Sequence, residues 1–317
     1  MAIYTKLTRQ EIEDHLTNYK LGTLTNFKEI IEGIDNTNLL IETTQGKFIL
    51  TIFESRIDKN SLPFFINFKI HLAQKGICCP IPIVANSGAS LVDLKNKKST
   101  IVTFLNGTSL KAREDGYYDN ITPNHCYEIG KVLARLHLAT ADFNMSRENE
   151  LSPLVLRNLF NKIQYLHRNL RAEILGDLDF IEKSWRVDLP SGASHLDLFP
   201  DNVFFDNEGK ASGVIDFYFA ANDLLIYDFA IVVNAWCFDE RNNFDQQKFD
   251  EMLRGYEEVR KFSAEEKNFL KIALVGAAMR FLLTRLHDMF AVSTESLVKI
   301  KNPKEYLAKL RFFKSKV

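Results

Sequence analysis

The sequence predicts an α+β fold in two lobes, a small antiparallel sheet first and a larger, mainly helical part after it. Three observations carry this. Residues 24–54 alternate apolar and polar in short runs around the turn Gln45-Gly46, the pattern of half-buried strands. Beyond residue 108 apolar side chains recur mostly at helical spacing, as Cys126, Ile129, Val132, Leu133 and Leu136 do. The third is a polar loop, HLDLFPDN at 195–202, followed by a short hairpin that ends in Asp216.

At 317 residues the chain is long enough for two lobes with cores of their own. A hydrophobic content of 46% with 26% charged residues is that of an ordinary globular protein. The formal net charge of −1 gives no overall basic field for nucleic acid or an anionic membrane. The longest apolar stretch, 226–238, is interrupted by Asp228 and Asn234, and no early run has the flanks of a signal peptide; the expected location is the cytoplasm. Cys78, Cys79, Cys126 and Cys237 match neither zinc-ligand nor disulfide spacing and are expected as free thiols.

In chain order, TRQE at 8–11 is a capping box opening a helix to about residue 19. The runs 27–34, 38–44 and 47–54 read as strands, and 62–75 as a helix with Phe65, Phe68 and Leu72 inward. Strands are expected over 81–85 and 99–104, joined through a polar turn at 93–99. Thr122-Pro123 starts a helix that includes His137, read as a packed core histidine. One long helical region is expected over 152–185. Strands at 203–205 and 211–215 flank the turn DNEG. A helix opens at Tyr227-Asp228, and SAEE at 263–266 caps another that precedes a periodic helix at 271–288.

The loop and hairpin carry the chemistry. Moving a phosphoryl group from a magnesium-bound nucleotide needs oxygen ligands from separate backbone segments and one carboxylate aimed at the acceptor hydroxyl. Asp197 is placed for the hydroxyl, Asn202 and Asp216 for the metal, and His195 as a brace for the loop. The His-x-Asp-x-x-x-x-Asn spacing with a following Asp-Phe resembles the catalytic and metal-binding segments of the protein-kinase-like superfamily. Phe199 stands where a protein kinase has lysine, and the form HLDLFPDN with IDFYFA downstream is similar to the aminoglycoside phosphotransferase and choline kinase family.

That resemblance implies a bilobal protein-kinase-like fold, with a nucleotide-binding lobe at 1–105, a catalytic and substrate-binding lobe at 106–317, and ATP and Mg²⁺ as cofactors. The loop at 32–38 falls where the phosphate-covering loop belongs, so Asn36, Thr37 and Asn38 are its candidate phosphate contacts. Thr51 stands at the position of the usual phosphate-binding lysine, and the helix at 62–75 holds no glutamate to pair with one. Lys47 and Lys69 could substitute, although a solvated surface position is expected for each. Thr103, Phe104 and Leu105 correspond to the adenine-binding hinge, and Asp228 to a structural aspartate.

Finer matches run along nearly the whole chain: LTR at 7–9, YKLG at 19–22, LPFF at 62–65, IDFYFAAND at 215–223, DFAIVVNAWC at 228–237 and RFLLTRLHD at 280–288 resemble the type II homoserine kinase family of bacteria. The acceptor so implied is L-homoserine, phosphorylated on its hydroxyl in threonine biosynthesis. A small zwitterion needs a partner for each charge. Asp223 is the candidate for the ammonium, Arg280 or Arg285 for the carboxylate, and Tyr218, Asn234 and Trp236 for the lining. Two alternatives stand beside this reading. One is a kinase for another amino alcohol or an aminoglycoside; the other, suggested by the missing lysine and glutamate, is a pseudokinase-like binding protein.

Overall fold

The computed structural model describes residues 5–30, 36–54, 57–113, 116–291 and 301–316. The chain divides into two compact units, residues 1–106 and 107–317.

The first unit opens with helix α1 (Arg9–Leu16), whose Thr8 and Glu11 close the expected capping box. It is shorter than its periodicity suggested because residues 17–19 tighten into i→i+3 bonds, such as Tyr19 N–H to Leu16 O at 2.9 Å. Strands β1 (Leu24–Ile30), β2 (Asn36–Thr43), β3 (Gly46–Phe53), β4 (Val92–Leu94) and β5 (Lys97–Thr103) form an antiparallel sheet in the order β1-β2-β3-β5-β4. Helix α2 (Leu62–Gln74) comes between β3 and β4 in the chain. Leu39, Ile41, Leu50 and Ile52 from the sheet, with Ile12 and Leu16 from α1, form one hydrophobic core.

The sheet corrects one expectation. Residues 81–85 form no continuous strand; they hold the sheet through the bridge Pro82–Val102 and the Ile83 N–H to Ile101 O bond at 2.8 Å. The segment read as a loose turn is instead the β4–β5 hairpin. Lys95 and Asn96 both take positive φ, 50° and 60°, the conformation of a two-residue primed turn.

In the second unit, β6 (Thr108–Ser109) precedes α3 (Pro123–Ala139), and the region expected as one helix is two, α4 (Leu156–Lys162) and α5 (Arg168–Ser184). The chain turns extended at Ile163, whose carbonyl accepts from Arg171, and His167 caps the restart. Strand β7 (Ser191–Ser194) pairs with β10 (Ala221–Leu224), a small sheet without a periodic signature in the sequence. Between them β8 (Val203–Phe205) and β9 (Ala211–Val214) make the expected hairpin, which β6 joins.

Helix α6 (Leu225–Trp236) is buried along its whole length. Helix α7 (Gln246–Val259) packs on α3 through reciprocal glycines: a Cβ on Gly130 would meet Met252 O at 2.2 Å, and one on Gly255 would meet Tyr127 O at 2.1 Å. Helix α8 (Ala264–Ala291) joins the last two expected helices into one, and α9 (Pro303–Lys314) packs along it. Among the described residues no helix is long and apolar enough to cross a membrane.

Candidate active site

Residues 195–202 link β7 to β8, and almost every backbone group in the first half of the loop has a dedicated partner. Asp228, in the first turn of α6 and fully buried, accepts the N–H groups of His195 at 2.9 Å and Leu196 at 2.8 Å. Leu196 has φ +60°, a conformation that costs a branched side chain on the order of 1–3 kcal/mol. The strain is held from both sides, because the Leu196 carbonyl accepts from Arg280 Nη1 of α8 at 2.5 Å. The next two carbonyls are capped in turn: Asp197 O accepts from Asn202 Nδ2 at 2.8 Å, and Leu198 O from Trp236 Nε1 at 2.8 Å.

His195 ties this loop to the hairpin. Its Nδ1 accepts the Asp197 N–H at 3.2 Å, which leaves Nε2 to donate to the Ile215 carbonyl at 2.9 Å. Burial pushes its pKa down, with Asp228 opposing, so the neutral tautomer that this pair of bonds requires is the favoured one. A second tie runs from Ile215 N–H to Asn202 O at 2.9 Å. Residue 216 is thereby held beside residue 202, and Asp216 itself turns the chain with φ 62° and ψ 65°. Asp197 is half-buried, Asn202 buried and Asp216 exposed.

The donors suit a hard divalent cation. With Nδ2 committed to Asp197 O, the Asn202 side chain offers an oxygen, and Asp216 adds carboxylate oxygens. Among the described residues no cluster of three His, Cys, Asp or Glu side chains competes as a metal site.

Behind the loop lies a buried polar chain. Asp228 Oδ2 is 3.2 Å from His137 Nε2, and His137 Nδ1 is 2.7 Å from the Tyr256 hydroxyl, which also accepts from Arg260 Nη1 at 3.1 Å. Arg260 in turn donates to Glu266 at 2.9 Å. His137 is thus a core histidine that braces Asp228.

Several candidate residues take places other than a ligand site. Arg280 is 1% exposed, and its guanidinium lies under the loop rather than open to a substrate carboxylate. Asn234 and Trp236 are wholly buried; Asn234 Nδ2 donates to Ala230 O and Leu274 O, and Trp236 to Leu198 O. Asp223 is engaged by Asn149 Nδ2 at 2.6 Å and the Leu224 N–H at 2.8 Å, while burial pushes its pKa up. Tyr218 sits in the short turn after Asp216; Arg285, by contrast, is paired with Glu305 on the wall of a cavity that also reaches Phe199.

In the first unit, Glu32 to Asp35 of the expected phosphate loop lie outside the described residues. Asn36, Thr37 and Asn38 belong to β2, not to a loop. Thr37 donates to Glu54 at 2.8 Å and accepts from Thr5 N–H, Glu54 N–H reaches Asn36 Oδ1, and Thr51 donates to Asn38 Oδ1 at 2.7 Å. Lys97 pairs with Glu54; burial opposes ionisation there, but Lys97 and the two threonines hold the carboxyl pKa below its ordinary value. Thr103 bonds Ile81 from both side chain and backbone, with Phe104 and Leu105 following the strand end. Lys47 is exposed beside Glu42, but Lys69 is 4% exposed on α2, so its expected surface position is not observed.

Sequence reasoning missed Glu305, Tyr306 and Lys309 of α9 and Tyr118, all grouped near Arg285 or the loop 195–202. The signal for α9 was present as Asn302-Pro303 before an amphipathic run with Glu305 and Lys309 one turn apart. Tyr118, whose pKa is raised by burial and by nearby Asp201, had no sequence signal.

Comparison with known proteins gives consistent matches. Residues 26–262 match the model of the phosphotransferase enzyme family APH. A homoserine kinase of Brucella melitensis biotype 2 is 44% identical over 316 residues, covering 98% of this chain and 94% of that one. One from Xanthobacter autotrophicus is 45% identical, with 98% and 96% covered. Among solved structures, a microcompartment-associated aminopropanol kinase superposes with TM-score 0.73 at 16% identity, over 97% of each chain. Amicoumacin kinase hAmiN, in complex with AMP-PNP, Ca²⁺ and Ami, gives 0.71 at 15%, over 98% of this chain and 93% of that one. At such identities these two structures speak for the fold.

Proposed function

The chain belongs to the phosphotransferase enzyme family, and from that premise we propose that it transfers the γ-phosphoryl group of ATP to the hydroxyl of L-homoserine, giving O-phospho-L-homoserine and ADP. The observation that carries the reading is the loop 195–202, with the peptides around Asp197 hydrogen-bonded and the loop cross-tied to residue 215. The identity of the acceptor is supported by the relatives of 44% and 45% identity, which are named homoserine kinases and match over nearly the full length.

In the proposed reaction Asp197 aligns the acceptor hydroxyl and takes its proton as the oxygen attacks the γ-phosphorus, and the bond to the ADP oxygen breaks. Asn202 and Asp216 would hold Mg²⁺, which would offset charge on the phosphate oxygens when bound. His195 fixes the spacing between base and metal ligands by holding both the Asp197 N–H and the Ile215 carbonyl. In the first unit, the lysine position is filled by Thr51, hydrogen-bonded to Asn38.

An ADP-release assay with magnesium-ATP and L-homoserine, L-serine, choline or kanamycin tests this. Saturable turnover with L-homoserine above the other acceptors is expected. Turnover confined to choline or kanamycin would keep the phosphotransfer and discard the acceptor. No turnover with any of the four would favour a binding protein.

A further inference from the structure

Two buried cations share one carboxylate close to the catalytic loop. Glu305 accepts from Arg285 Nη1 at 2.5 Å and from Lys309 Nζ at 2.6 Å. All three are nearly sealed from solvent, Arg285 at 7%, Glu305 at 9% and Lys309 at 3% exposed. Their other hydrogen bonds go to neutral carbonyls, Asn302 O for Arg285 at 2.9 Å and Asn234 O for Lys309 at 2.8 Å, and both cations lie over the uncharged Tyr306 ring. Two positive charges against one negative leave a buried excess of one, an arrangement that is costly until an anion joins it.

This cluster lines a cavity together with Tyr118 and Phe199. Phe199 is two residues from Asp197, so the cavity borders the loop that carries that carboxylate. Two acids on its wall are engaged elsewhere. Glu240 pairs with Arg113 at 2.8 Å, and Asp239 accepts the Arg241 and Asn243 N–H groups and the Asn243 side chain. Lys301, 5.3 Å above the Phe199 ring, adds another positive charge at the wall. As it stands the cavity is about 20 Å³, room for one or two water molecules that a carboxylate would displace.

We propose that this cavity receives the carboxylate of the acceptor, with Arg285 and Lys309 as its ligands and Glu305 holding the two cations in place. The site therefore selects alcohols that carry an anionic group and rejects purely cationic ones such as choline or an aminoglycoside. The proposal rests on the acceptor reading above and adds what recognises that acceptor. The buried Tyr306 ring packs against both cations, 4.4 Å from the Arg285 guanidinium and 4.6 Å from Lys309 Nζ.

The test compares L-homoserine with 3-amino-1-propanol, which keeps the hydroxyl and the ammonium and lacks the carboxylate. In Lys309→Met the KM for L-homoserine is expected to rise about 10- to 100-fold, the loss of one charge-assisted hydrogen bond, with KM for ATP unchanged. The KM for 3-amino-1-propanol, high in the unmodified protein, is expected to stay within about twofold. Arg285→Lys keeps the charge and loses the fork; it is expected to raise the homoserine KM about tenfold with little change in melting temperature, and serves if Lys309→Met does not fold. A homoserine KM that does not move, or an equal rise for both acceptors, overturns the proposal. If the unmodified protein turns over L-homoserine, such a result sinks the carboxylate site alone. If it turns over none, the acceptor reading falls and this site with it.

Discussion

Asp197 owes its place to neighbours more than to its own bonds. Its N–H and carbonyl are held within the loop by His195 and Asn202, and the peptides on either side by Asp228 and Trp236 of α6 and Arg280 of α8, so the carboxylate is presented by a rigid backbone. Replacing it with Asn preserves shape and removes the proposed base. Turnover of Asp197→Asn is expected to fall about 10²- to 10⁴-fold with little change in the KM for ATP, as steady-state kinetics would show. Retained turnover would refute the role. Asp228→Ala acts differently, because it leaves two buried backbone N–H groups and His137 without an acceptor at about 1–3 kcal/mol each. Both turnover and the urea midpoint should drop; loss of one without the other would contradict an anchoring role.

At the scale of elements, α3 and α7 are joined where glycine lets backbone approach backbone. Gly130→Ala would drive a methyl into the Met252 carbonyl, and overpacking of this kind costs about 1–3 kcal/mol. A lowered urea midpoint is expected, while Gly176→Ala, with open space around it, should leave the midpoint unchanged or raise it. Elements with a strong period and a capping signal were legible in the sequence: α1, the β2–β3 hairpin, α3 and the β8–β9 hairpin. Those decided by tertiary contact were not. The β7–β10 pair is four residues a side with no alternation, and the turn at Lys95-Asn96 uses residues common in any polar loop. The 152–185 region breaks at Ile163 without proline or glycine, so nothing local announced the break.

The whole molecule responds to acid through histidines held neutral. Burial lowers the pKa of His15, His125 and His195 below the ordinary 6.5. Below that value the unfolded chain takes up protons that the folded chain resists. Stability is therefore complete above about pH 6.5 and is lost as pH falls through the depressed folded values. Melting temperature should decline between about pH 7 and 5, and His195→Asn should flatten that decline; a profile as steep as that of the unmodified protein would exclude His195 as a contributor. Legibility at this scale follows distance along the chain. The candidate base and metal ligands lie within 195–216 and could be read together, whereas the Arg285–Glu305–Lys309 cluster joins two helices, and buried lysines have the same letter as solvated ones. For the same reason Arg280 and Trp236 invited a ligand role in sequence, though both hold loop carbonyls.

The bond from Arg280 to the Leu196 carbonyl spans 84 residues. At a synthesis rate of about 5–20 residues per second, the ribosome emits the catalytic loop roughly 4–17 s before it emits the side chain that locks it. A nascent chain that already contains every candidate catalytic letter is thus still without a set active site. The lock on the Leu196 carbonyl arrives only with α8, late in translation.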